Sequence, residues 1–230
     1  LLQHLKEHRL HLDLKPRERL FYATTCGWMM WNWMVSALAS GATLILYEGA
    51  PLYPKYWRFF ELIETEKINI LGVSAKYIDV LRKAKMSSEG YDLSSLRALL
   101  STGSPLVPEA FDYVYKSIKQ DICLSSISGG TDIVSCFVLG ANVLPVYRGE
   151  IQCRGLGMAV ESWDSDCNSQ IGEKGELVCK APFPSMPISF LNDPTGERYR
   201  AAYFERFDGV WCHGDFLEIN DRGGVVINFK

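Results

Sequence analysis

Short apolar runs alternate along the chain with segments whose apolar residues return every three or four positions. Residues 20–25 are aromatic-rich and strand-like, residues 28–39 read as a buried helix stopped by Ser40-Gly41, and residues 42–47 read as another strand. Residues 56–67 place Tyr56, Phe59, Phe60 and Ile63 on one helical face ahead of the apolar run 68–73. Residues 76–85 repeat the pattern with Tyr77, Val80, Leu81 and Ala84, and the polar stretch 85–95 reads as a surface loop. A third run, 96–100, ends in Ser101-Thr102-Gly103-Ser104-Pro105, and Pro108 opens a helix that buries Phe111, Val114, Tyr115 and Ile118. Asp121-Ile122-Cys123-Leu124 then reads as a short buried strand. Strands alternating with helices pair in parallel through crossovers, so residues 20–140 predict an α/β fold with a doubly wound, mostly parallel sheet and helices on both faces.

After Pro145 the texture changes. Residues 150–164, 175–180, 210–220 and 224–229 are strand-like runs divided by Gly, Asn, Asp and Pro, with no convincing helix between them. They predict a smaller antiparallel β subdomain, which divides the chain into residues 1–145 and 146–230. Residues 1–12 read as the end of a helix without its own N-cap signal, broken by Pro16. His4, His8 and His11 share a face of that helix. Metal binding is one use for them, but no carboxylate or cysteine completes a site of recognised spacing, and a solvated amphipathic face is expected.

At 230 residues and 47% hydrophobic, the chain can bury a substantial core. A net charge of -3 without a basic run argues against nucleic acid as a partner and favours small molecules. The seven cysteines form no C-x-x-C pair and are odd in number, which suits buried free thiols in a reducing cytosol. Residues 20–47 carry no charge, yet two glycines cut them into pieces shorter than the roughly 20 apolar residues of a membrane span, so no span is expected.

The candidate chemistry lies in the loops. Ser125-Ser126-Ile127-Ser128-Gly129-Gly130-Thr131-Asp132 follows an apolar strand, and open α/β sheets bind ligands at such strand ends. Its glycines allow close backbone approach, Thr131 offers a hydroxyl and an N–H to a phosphate, and Asp132 can hold magnesium. Clusters of Ser, Gly and Asp also mark ordinary turns. Neither this loop nor the neighbouring Ser101-to-Pro105 loop carries the side chains needed for nucleophilic catalysis, and there is neither a Walker A loop nor a G-x-G-x-x-G motif. Asp215, in Trp211-Cys212-His213-Gly214-Asp215, is a candidate acceptor for two sugar hydroxyls or a plain turn aspartate. His213 has no Ser or Cys partner that would make it a catalytic base.

Taken in order, five motifs resemble the acyl-adenylate-forming ligases. They are Gly27-Trp28-Met29-Met30-Trp31-Asn32-Trp33, Ser101-Thr102-Gly103-Ser104-Pro105-Leu106, Gly129-Gly130-Thr131-Asp132, Gly175-Glu176-Leu177-Val178 and His213-Gly214-Asp215. The similarity runs over nearly the whole chain and is strongest to the acetoacetate-activating branch. It implies a cytosolic ligase of lipid and ketone-body metabolism that uses ATP, Mg2+ and coenzyme A. Acetoacetate would first become acetoacetyl-adenylate with release of pyrophosphate, and the thiol of coenzyme A would then displace AMP.

The resemblance also implies site residues. Gly103, Ser104 and Pro105 would line the adenine, while Ser126, Ile127, Ser128, Gly129, Gly130 and Thr131 would wrap the adenine and α-phosphate. Asp132, where relatives usually carry Glu, would hold magnesium, and Asp215 would bind the ribose diol. Trp28, Met29, Met30, Thr102 and Gly129 would line the acyl pocket. Acetate-using relatives carry a tryptophan at the position of Gly129, so Gly129→Trp is expected to shift preference toward acetate.

The family's Ser/Thr/Gly-rich phosphate loop and its lysine are absent from these residues, as is its lysine-bearing C-terminal domain. Asn228-Phe229-Lys230 stand where a Gly-Arg is expected. The chain is therefore expected to be the central piece of such a ligase, inactive alone. A non-catalytic nucleotide-binding module, or a ligase for another short acid, are the alternatives.

Overall fold

In the computed structural model, which describes residues 1–228, the apolar runs of the first half become five strands. These are β1 (Arg19–Tyr22), β2 (Thr43–Leu44), β3 (Ile70–Ser74), β4 (Ala98–Thr102) and β5 (Cys123–Ser126). They pair in parallel in the order β2-β1-β3-β4-β5. Successive side chains of a strand point to opposite faces, and here both faces are apolar. Phe21, Leu71, Val73 and Leu99 pack on one side, whereas Leu20, Tyr22, Ile70, Ala98 and Leu100 pack on the other.

Helices cover both layers. The first face carries α3 (Arg58–Glu66), α4 (Ala75–Lys83) and α5 (Pro108–Tyr113), through residues such as Phe59, Ile78 and Phe111; the second carries α2 (Met29–Ser36), against which α1 (Leu2–Lys6) packs. Local signals place their starts: Ser74 accepts a hydrogen bond from the Tyr77 N–H at the head of α4, and Pro108 opens α5.

The N-terminal helix departs from expectation. α1 continues as a π-helical turn, Glu7–His11, and its polar face points inward: Gln3, His4, Glu7, His8 and His11 are buried while Leu2 and Leu10 are exposed. The face is not solvated: partners inside take most of its polar groups, while His8 Nδ1 has none among the described residues. His8 Nε2 donates to the Trp33 carbonyl at 2.9 Å; His11 Nδ1 donates to the Gly140 carbonyl at 2.9 Å, and its Nε2 accepts from the Leu156 N–H at 3.0 Å. No group of three or more metal-ligating side chains occurs among the described residues.

Burial pulls the His8 imidazole down to about 4, against the pull of the Trp33 carbonyl, and lowers His11 in the same direction. A histidine held neutral stabilises the fold above its unfolded value of about 6.5, and that stability is lost as pH falls toward the folded value. His8 alone is expected to withdraw roughly 3 kcal/mol between pH 6.5 and 4. Thermal midpoints recorded across that window should fall more steeply for the natural chain than for His8→Gln; parallel profiles would remove His8 as the cause.

The second half is antiparallel. β6 (Ser128–Gly130), β7 (Ser135–Leu139) and β8 (Cys153–Arg154) form a three-stranded sheet. β9 (Val160–Trp163), β10 (Ser169–Gln170), β11 (Lys174–Cys179), β12 (Trp211–Ile219) and β13 (Val225–Asn228) form another, in the order β10-β9-β11-β12-β13. Residues 128–139 were expected in the parallel sheet and its loop; they instead fold back as a hairpin. Cys136 and Leu139 of β7 enter the apolar cluster of the parallel sheet, and Phe137 and Val138 enter that of the antiparallel sheet. One helix, α6 (Glu197–Tyr203), occurs where none was expected, and Tyr203 stacks on Trp211 with ring centroids 3.8 Å apart. Phe229, the end of the last expected strand, and the terminal pair Phe229-Lys230 lie outside the described residues.

Candidate active site

Parallel pairing sets Ser101 of β4 beside Ser126 of β5, and the two chains leave the sheet together. The Ile127 N–H donates to the Ser101 carbonyl at 2.8 Å, and the Thr102 hydroxyl donates to the Ile127 carbonyl at 2.9 Å. Beyond this tie opens a cleft of ≈ 380 Å³. Trp28, Met29 and Met30, at the head of α2, wall one part. Thr102, Gly103, Ser104 and Pro105 wall a second, and Ser126, Ile127, Ser128, Gly129, Gly130 and Thr131 a third. Three groups of residues predicted from separate stretches thus share one hollow. A larger hollow of ≈ 780 Å³ lies at the ends of β1 and β2; Trp28 is the only one of these site residues on its wall.

Several wall residues had no role in the sequence reading. Leu106, Val107 and Pro108 continue the Ser101 loop; Ser135 and Cys136 of β7, Gly149, Ile151 and Val225, Val226 and Ile227 of β13 close the opposite side. Strand β13 was expected as a strand, but its reach to the cleft depends on the Ile151–Val225 bridge, made by two 2.8 Å hydrogen bonds. No local pattern signals that pairing.

Asp132 and Asp215 stand off the cleft wall, and His213 joins them. Its ring lies under Gly130: a Cβ there would come within 2.7 Å of His213 Cε1 and 3.8 Å of Asp132 Oδ2. His213 Nε2 is 3.8 Å from Asp215 Oδ2, and the ring packs against Phe137 at 4.7 Å. Burial lowers His213, opposed by the carboxylates of Asp215 and Asp132. A neutral ring thus separates two acids. Burial, with Asp132 adding, pushes the Tyr203 phenol up to about 12, so it remains a donor at neutral pH.

Gly129 corrects one expectation. A Cβ on it would point not into the cleft but at β7, 2.0 Å from the Ser135 carbonyl oxygen and 2.7 Å from Cys136 Cα. A tryptophan at this position would break the hairpin before it could fill an acyl pocket, so Gly129→Trp is not expected to create an acetate enzyme.

A buried carboxylate braces the same hairpin. Glu7, fully buried, accepts from Trp33 Nε1 at 2.8 Å and from the Ser135 hydroxyl, whose oxygen accepts in turn from Gln3 Nε2 at 2.8 Å. Ser135 pairs with Gly130 across the hairpin, so its hydroxyl links the N-terminal helix to the Gly129-Gly130 strand.

A family model described as AMP-binding enzyme matches residues 2–186. The chain is 60% identical over 229 residues to an acetoacetyl-coenzyme A synthetase of Rhizobium meliloti, covering 99% of this chain and 35% of that protein. It is 51% identical over 228 residues to an acetoacetyl-CoA synthetase of Mus musculus, covering 99% and 34%. The solved acetoacetyl-CoA synthetase from Streptomyces lividans superposes with a TM-score of 0.93 at 43% identity, covering 98% of this chain and 36% of that one. The chain spans about a third of the length of these relatives.

Proposed function

The chain belongs to the AMP-binding enzyme family, and we propose from that premise that it supplies the acid- and nucleotide-binding cleft of an acetoacetyl-CoA synthetase. The reaction has two steps. A carboxylate oxygen of acetoacetate attacks the α-phosphorus of ATP, giving acetoacetyl-AMP and pyrophosphate. The coenzyme A thiolate then attacks the activated carbonyl, and AMP departs with the bond electrons.

The observation that carries this reading is that a single cleft receives Trp28, Met29 and Met30 on one side and both Ser/Gly loops on the other. In it Gly103, Ser104 and Pro105 seat the adenine. The Thr131 hydroxyl and the backbone of Ser128, Gly129 and Gly130 hold the α-phosphate, where pre-set donors stabilise charge that builds in transfer. Asp215 takes the ribose hydroxyls, with the His213 ring 3.8 Å away. Magnesium commonly takes one or two carboxylates and completes its shell with phosphate and water, so the exposed Asp132 suits it; the ion would neutralise phosphate charge.

The β- and γ-phosphate contacts and the coenzyme A site belong, on this reading, to the remainder of such a protein, so these 230 residues alone are expected to exchange no pyrophosphate into ATP. Cytosolic residence and a place in fatty-acid and ketone-body metabolism are part of the same proposal; no helix among the described residues is long and apolar enough to cross a membrane.

Asp215→Ala in the complete protein tests the nucleotide end. Losing hydrogen bonds to a carboxylate should raise the KM for ATP about 10- to 100-fold while the KM for acetoacetate stays within about twofold. ATP–pyrophosphate exchange reads both, and a change confined to the acid would overturn the assignment.

A further inference from the structure

Residues 213–215 leave the regular ladder of β12. The pairs Glu176–Phe216 and Val178–Cys212 flank a register shift: β11 places only Leu177 between them, whereas β12 places His213, Gly214 and Asp215. Three residues facing one form a bulge, and Gly214 takes a φ of 92° there, a left-handed backbone that favours glycine. Bulges re-aim side chains. This one brings the His213 ring against the β6–β7 hairpin, which belongs to a different sheet.

The ring fills the place where a side chain on Gly130 would begin. A Cβ at Gly130 would lie 2.7 Å from His213 Cε1 and 3.1 Å from Nε2, with Asp132 Oδ2 in ordinary contact at 3.8 Å. Gly129, next to it, is blocked by the backbone of β7, but the obstacle at Gly130 is one side chain. Nor does Gly130 have a positive φ that would call for glycine. The ring has little room to yield: the side chain is 9% exposed and packs edge-on against Phe137, which is fully buried and itself edge-on to Phe183. Gly130 is on the cleft wall and His213 is not, so the ring bears on the cleft from behind. On the same bulge stands Asp215, its Oδ2 3.8 Å from His213 Nε2.

We propose that His213 is a positioning residue for the nucleotide. Its ring is a spacer that sets how far Gly130, and with it the α-phosphate donors of β6, stands from Asp215, the ribose acid. The inference rests on the proposed nucleotide site and adds to it a residue that acts through Gly130 and Asp215 rather than on the nucleotide. It makes Gly130 and His213 a matched pair. A methyl added at 130 pushes β6 off the ring, and removing the ring lets β6 sink. Making both changes restores part of the spacing.

The test is a double-mutant cycle in the complete protein: natural, Gly130→Ala, His213→Ala and the pair, each followed by ATP–pyrophosphate exchange and thermal unfolding. Each single variant should raise the KM for ATP about tenfold and leave the KM for acetoacetate within about twofold, since Gly130 is assigned to the phosphate and not to the acid. The double variant should bind ATP about tenfold better than the product of the two single effects. His213→Asn takes the place of His213→Ala in the same cycle if the alanine variant does not fold, and is read the same way. Effects that simply multiply overturn the inference, because the ring and residue 130 then share no space. Melting points that fall while the KM for ATP stays put also overturn it, leaving His213 a packing residue. A natural protein that exchanges no pyrophosphate with acetoacetate overturns the underlying ligase reading, whereas natural activity with multiplying effects sinks this inference alone.

Discussion

Gly129→Ala is expected to cost the complete protein at least about 100-fold in kcat/KM for both substrates of adenylation, since displacements near 1 Å at a reacting centre carry penalties of that size. The added methyl would sit 2.0 Å from the Ser135 carbonyl oxygen, 2.7 Å from Cys136 Cα and 2.9 Å from the Ser135 carbonyl carbon. All three are backbone atoms, so no rotamer change relieves the overlap. The hairpin must open instead, and it opens at its irregular point, where the register shifts between Ser128 and Gly129. Gly130 and Thr131 move with it. Because Ser128, Gly129 and Gly130 of this strand all wall the cleft, which is proposed to take both the acid and the phosphate, the loss should appear in the KM for ATP and in kcat together. Exchange kinetics and a thermal melt on the same preparation check it; near-native kinetics would show that β6 does not set the cleft.

What was legible before the structure, and what was not, follows from how far apart the cooperating residues lie. The parallel strands could be read because both faces of β1, β3 and β4 are apolar and each of those runs ends in its own turn signal, as at Thr102-Gly103. Strands of two or three residues such as β6 and β8 carry no such period; they exist because β7 lies between them. Helix α6 was missed for a related reason. Its N-cap position is Gly196, and the Arg198 and Tyr199 N–H groups are satisfied by the carboxylate of Asp193, outside the usual capping spacing.

The site shows the same division. Each loop could be named from its residues, and their order along the chain suggested one ligand, but the direction of a Cβ at Gly129 depends on cross-strand register and cannot be read locally. The histidine face was misjudged because polarity was equated with exposure. Leu2 and Leu10 on the opposite side reverse the usual pattern, and the inward residues are tolerated because each has a specific partner across the fold.

Glu7→Ala is expected to destabilise the protein by roughly 3–5 kcal/mol, the range for breaking a buried charged pair by removing one member. Among the described residues the carboxylate is the only acceptor for Trp33 Nε1, at 2.8 Å, and it takes the Ser135 proton as well. Lys6 Nζ lies 3.5 Å from Glu7 Oε1 without another hydrogen-bond partner among the described residues, so its ammonium is held there by charge. Alanine would leave the two donors bare and the cation uncompensated, and would add a cavity between α1, α2 and β7. Glu7→Gln should cost less than alanine, since one acceptor oxygen survives, but more than a surface change, since the amide turns donors toward donors. Urea unfolding of the three proteins should rank them natural, Gln, Ala. If the alanine variant unfolds within 1 kcal/mol of the natural protein, the inward polar face does not hold the N-terminal helix to the hairpin, and the path from Glu7 through Ser135 to Gly130 carries no weight.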